Sequence, residues 1–119
     1  MTSSTISSQY LYEAIAQRDT KSVQKLLSYG FDINARDDSF GGMAPIHVAV
    51  LNNDKDMVKT LLKQGANLKQ TNKAGETVAH LACSIGSLEM LQFTIEKGVD
   101  VDQASETFVT PLHLAVKAG

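Results

Sequence analysis

The amino-acid sequence predicts an all-α repeat solenoid in which helix–turn–helix units stack and hairpin-like loops project between them. Three observations carry this reading. His47, His80 and His113 stand 33 residues apart, and each is followed two positions later by an alanine, Ala49, Ala82 and Ala115. The eighteen positions after His47 and after His80 also correspond, ending in Gly65 and Gly98, with the apolar pairs Met57-Val58 and Met90-Leu91 at matching offsets. An earlier copy runs over residues 10–38, where Ala14 and Gly30 precede Ala49 and Gly65 by 35 residues, so two extra residues fall between Gly30 and His47, within the run 37–42. Self-similarity at this period marks an array whose units cannot bury their apolar faces alone.

Residues 1–8 read as a polar lead-in, followed by repeats over about 9–38, 39–72 and 73–104 and a truncated copy over 105–119. In the first repeat, Gln9 to Gln17 and Thr20 to Tyr29 give the two helices, with Leu26 and Leu27 on the buried stripe. In the second, Pro45 suits a first helical turn, where its missing N–H has no intrahelical partner, and Ile46, Val48, Ala49 and Val50 fill the helix. Asn52-Asn53-Asp54 breaks it, and Asp54 caps a second helix whose Met57, Val58, Leu61 and Leu62 form one apolar stripe. Gly65 then ends it through the left-handed conformation that glycine tolerates. The third repeat follows suit, with Val78 to Ile85, the Gly86-Ser87 break and Leu88 to Lys97 before Gly98. After each glycine, Phe31 to Asn34, Ala66 to Lys69 and Val99 to Asp102 alternate apolar and polar residues, which predicts extended backbone. The turns Phe40-Gly41-Gly42 and Lys73-Ala74-Gly75 then reverse it into fingers.

The 119 residues suffice for one domain, and a formal net charge of -2 gives no general attraction for nucleic acid or anionic membrane. No apolar run approaches the 18 or so residues of a membrane span, so membrane insertion is not expected. A single cysteine, Cys83, makes no internal disulfide and points to a reducing compartment. The expected location is the cytoplasm, with the nucleus or the interior of a host cell as the other two.

Thr110-Pro111-Leu112-His113-Leu114-Ala115 matches the ankyrin-repeat signature TPLHLA without substitution, and Gly65-Ala66-Asn67-Leu68 is similar to that family's GADV segment. The chain resembles ankyrin-repeat proteins from Tyr10 to Gly119. The resemblance implies stacked helix pairs with fingers to one side, a concave surface that binds another protein, and histidines that bond the backbone and the preceding signature threonine. Ala44 replaces that threonine in the second copy, Val78 replaces the proline in the third, and the first copy has no TPLH. A terminal repeat has no upstream neighbour, so the first copy reads as a cap. Lys117-Ala118-Gly119 stops where the break between helices should come, so the sequence is expected to be the N-terminal fragment of a longer protein, and its unfinished copy offers a surface for self-association.

His80 and Cys83 at i and i+3 supply two ligands, too few for a zinc site, and Cys83 reads as a small buried hydrophobe. No nucleophile, base and orienter set and no Gly-rich phosphate loop appears, so no enzyme activity, metal or cofactor is expected of these residues. Lys55, Lys59 and Lys63 form a basic strip on the solvated face of their helix. The resemblance places partner contacts on the fingers and the ends of the first helices. There Phe40, Met43, Leu51, Ile85 and Val109 are the expected apolar anchors, and Asn52, Lys73, Glu76, Ser84 and Glu106 the polar rim. The expected function is a non-enzymatic module that holds a protein or peptide through its concave finger and inner-helix surface. The alternative is a recruiting or targeting domain of a larger enzyme, ubiquitin-ligase adaptor, effector or channel.

Overall fold

A computed structural model of the chain describes residues 3–38 and 41–99, with side chains from Gln9 onward. Among the described residues there are six α-helices and no strand: α1 (Ser3–Ala16), α2 (Thr20–Ser28), α3 (Pro45–Leu51), α4 (Lys55–Lys63), α5 (Val78–Ser84) and α6 (Leu88–Glu96). The principal contacts run from α1 to α2 and α3, from α3 to α4 and α5, and from α5 to α6. The inner helices α1, α3 and α5 therefore stack in series, and each outer helix leans on its own partner.

The recurring caps explain why each repeat breaks where it does. Asp19, Asp54 and Ser87 occupy one equivalent position, and their side chains accept from the N–H groups of Ser22, Met57 and Met90 at 3.1, 3.2 and 3.1 Å. Each satisfies a donor that the start of an α-helix leaves without a partner. The residue before each cap has a positive φ: Arg18 at 60°, Asn53 at 53° and Gly86 at 72°. Only the third repeat places glycine there, so the first two accept a conformation that costs an ordinary side chain about 1 kcal/mol. Behind the caps, Ile15, Ile46, Val50, Met57, Val58, Leu61 and Val78 are fully buried in one continuous core.

Three expectations change. The first helix begins at Ser3, well before Gln9, so the end of the polar lead-in is helical. The segments after Gly30 and Gly65 are turns instead of extended backbone, while the one after Gly98 lies outside the described residues beyond Val99. Asp32 accepts from the Asn34 N–H at 2.9 Å and Asn67 from the Lys69 N–H at 3.0 Å, and side-chain bonds of this kind bend the chain within two residues. The fingers are hairpin-like only in part, for among the described residues Asp37 and Met43 make the one bridge. The two-residue insertion does lie in the first finger. The closing bond runs from the Asp37 N–H to the Met43 carbonyl there, and from the Asn72 N–H to the Glu76 carbonyl in the next, two residues nearer.

Candidate partner-binding surface

The N-terminal starts of α3 and α5, where each finger enters its inner helix, are held by buried histidines. His47 Nδ1 accepts from the Ala44 N–H at 2.9 Å, which leaves the proton on Nε2, and Nε2 donates to the Gln70 carbonyl at 2.8 Å. One neutral ring thus ties the start of α3 to the loop entering the third repeat. Burial pushes the His47 imidazole below its usual range, with the Gln70 carbonyl acting in the opposite direction. His80 repeats the arrangement. Its Nδ1 accepts from the Thr77 N–H at 3.0 Å and lies 3.0 Å from the Thr77 hydroxyl, which also caps α5. The bonding implied by the resemblance is therefore complete in the third repeat, whereas Ala44 leaves only the backbone bond in the second. Tyr12 donates its hydroxyl to the Met43 carbonyl, and burial followed by the Asp37 charge pushes that phenol up to about 12.

Adjacent fingers touch. The Lys73 N–H donates to the Gly41 carbonyl at 3.3 Å, and a Cβ on Gly42 would stand 2.6 Å from the Lys73 Cβ and 2.9 Å from its backbone nitrogen. Gly42, at φ +68°, is fixed by both conformation and space. The Asn72 side-chain oxygen accepts from the N–H groups of Ala74 and Glu76, each at 3.0 Å, and closes the second finger.

Of the expected anchors, Leu51 ends α3 with 36% of its surface exposed and Ile85 caps α5 half-buried. They are not equivalent in the stack, since Leu51 corresponds to Ser84 and Asn52 to Ile85 at the 33-residue period. Met43 is half-buried at the base of its finger. Lys73 is exposed at a finger turn, and Ser84 is exposed with its hydroxyl donating to the Leu81 carbonyl at 2.8 Å. Two rim residues are already engaged. Asn52 donates to the Ile15 and Ala16 carbonyls at 3.4 and 3.2 Å, and Glu76 accepts from the Asn72 amide at 3.0 Å. Asn52 serves the stack, because a side chain at a helix end meets the open carbonyls of the neighbouring helix first, whereas Glu76 serves its own finger. Phe40, Glu106 and Val109 lie outside the described residues, as does the whole truncated copy over 105–119.

Sequence reasoning missed the residues that join neighbouring repeats. Asn34 accepts from the Asn67 N–H at 2.8 Å and donates to the Gly65 carbonyl at 3.2 Å, while its own carbonyl accepts from Gln70 Nε2 at 2.7 Å. Arg18 donates to the Asn52 carbonyl at 2.8 Å and lies 3.7 Å from the Asp54 carboxylate. The left-handed break was a signal for Arg18, but nothing local singled out Asn34.

Cys83 is buried, and burial pushes its thiol up, away from reactivity. Among the described residues no three His, Cys, Asp or Glu side chains are placed to hold a metal ion, and no helix is long and apolar enough to cross a membrane.

A family model described as ankyrin repeats (3 copies) matches residues 46–119, and one described as ankyrin repeats (many copies) matches residues 11–62. Human protein phosphatase 1 regulatory subunit 27 is 47% identical over 45 residues, 38% of this chain and 29% of that protein. Human 2-5A-dependent ribonuclease is 36% identical over 79 residues, 66% of this chain and 10% of that protein. The Notch-regulated ankyrin repeat-containing protein of Xenopus tropicalis is 32% identical over 72 residues, 59% of this chain and 63% of that protein. In each, the similarity covers less than two thirds of the relative's length.

Proposed function

Because the chain belongs to the ankyrin-repeat family, whose repeats are protein–protein interaction modules, we infer that it holds a protein or peptide partner across its fingers and inner-helix ends. Leu51 carries this reading. It ends a helix in which Ile46, Ala49 and Val50 are fully buried, yet more than a third of its own surface faces solvent where the core does not need it. Half-buried Ile85 on the next inner helix and exposed Lys73 on the finger extend the surface to a second repeat. Apolar anchors of this kind dominate recognition when a polar rim excludes water around them.

Replacing Leu51 and Ile85 together by serine tests the reading. Surface anchors predict a nearly unchanged unfolding midpoint and a loss of about 2 kcal/mol in affinity for a partner captured by the unsubstituted chain. Full binding by the normally folded double variant would reject the surface. The relative named as a ribonuclease, matched along 10% of its length, favours a second reading in which such repeats deliver a larger enzyme to its target. Assay of the full-length gene product for a catalytic activity distinguishes the two.

A further inference from the structure

A groove lies on the outer side of the stack, between α4 and α6, away from the fingers. Its lining is Lys59, Leu62 and Lys63 from α4, and Phe93 and Lys97 from and just beyond α6, around a volume of about 350 Å³. Its floor is apolar and its rim cationic. Phe93 is only 5% exposed because lysine stems lie across it: the Lys55 and Lys97 ammonium groups stand 5.3 and 5.6 Å from the ring centroid. Lys55 is matched by Glu89 at 3.7 Å, whereas no described carboxylate pairs with Lys59, Lys63 or Lys97. On a chain of net charge -2 this is a local reversal of sign, built beside a cleft large enough for a side chain and the backbone that carries it.

We propose that this groove docks an acidic peptide segment of a partner protein, with one apolar side chain over Leu62 and the lysine stems that cover Phe93, and flanking carboxylates against Lys59, Lys63 and Lys97. Charge complementarity selects the occupant, and the remaining geometry discriminates among polyanions. A single-stranded nucleic acid needs an open aromatic face for stacking, and Phe93 presents none under its two lysines. An anionic membrane is held by clusters of about four to eight cations on a broad face, and here Asp56, Glu89 and Glu96 interrupt the same two helices. None of those carboxylates lines the groove, whose charged lining residues are all lysines.

The test is fluorescence anisotropy with a labelled peptide of glutamates around a central leucine. The double variant Lys59→Glu/Lys63→Glu should weaken binding at least about tenfold, which is about 1.4 kcal/mol. Lys21→Glu, the same change of charge on exposed α2, should leave it unchanged, and a peptide with serine for leucine should bind several-fold more weakly. Thermal melting checks folding, and Lys59→Gln/Lys63→Gln replaces the reversal if that variant unfolds. Equal affinity for the lysine variant overturns the proposal. Equal affinity for the serine peptide overturns it too, since diffuse attraction needs no groove. Vesicles of phosphatidylserine and phosphatidylcholine that bind the unsubstituted chain and release the double variant would assign the patch to a membrane instead.

Discussion

The guanidinium of Arg18 donates to the carbonyl oxygen of Asn52 at 2.8 Å, joining the left-handed break of the first repeat to the same break in the second. Asn52 returns the contact through its amide to the Ile15 and Ala16 carbonyls. Arg18 therefore combines a favourable bridge with an unfavourable φ of 60°, and two substitutions separate them. Arg18→Ala removes the bridge and keeps the strain, and is expected to lower stability by about 1 kcal/mol for a largely exposed contact. Arg18→Gly removes both, and should be more stable than Arg18→Ala by about 1 kcal/mol. Urea unfolding of the pair measures the difference; equal midpoints would show that the turn is unstrained.

His47 gives the array a pH dependence of definite sign. Its folded-state value is depressed by burial, so below the ordinary imidazole value of about 6.5 the unfolded chain binds the proton more readily. Protonation would also set an Nδ1–H against the Ala44 N–H. Its contribution is complete above about pH 6.5 and is lost as the pH falls through the folded-state value. Unfolding free energy should therefore decrease between about pH 7.5 and about pH 5.5, and less steeply in His47→Gln. Identical slopes for the two proteins would assign the loss to other groups.

Ala44 stands where the third repeat has Thr77, whose hydroxyl caps α5 beside His80. Installing that hydroxyl by Ala44→Thr is expected to raise stability by about 0.5–1 kcal/mol. A lowered midpoint would show that the second repeat, where Ala44 is fully buried, has no room for the side chain.

Gly42→Ala should cost about 2–4 kcal/mol, because it adds left-handed strain to a collision with the Lys73 backbone. Gly65→Ala supplies the comparison, since Gly65 has φ +98° and nothing within 4 Å, leaving strain alone. A Gly42 variant no worse than the Gly65 variant would mean that the fingers part freely.

Much of the fold was legible because its causes are local. Asp54 and Gly65 bound α4 through bonds within a few residues, and the histidine period fixed the repeat before any contact was known. The surroundings of the expected contact residues were legible only in part. Leu51 is exposed as its place at the end of a first helix implied, but Asn52 and Glu76, read as a polar rim, are held by the stack and by their own loop.

By itself the sequence determined the period through its spaced histidines, and the helix pairs and caps because those depend on residues three or four positions apart; the bonding role of the histidines was what the family resemblance implied, and the bond from His47 to Gln70 spans 23 residues. Tertiary structure alone decided what joins one repeat to the next. The bonds from Asn52 to Ile15, Asn34 to Gly65 and Gln70 to Asn34 span 37, 31 and 36 residues. Such pairings depend on the offset at which neighbouring units stack, which the apolar pattern leaves free until the inner helices are packed. The groove between α4 and α6 arises the same way: Lys59 and Lys63 are an ordinary solvated strip until Phe93 and Lys97 of the next repeat are set beside them.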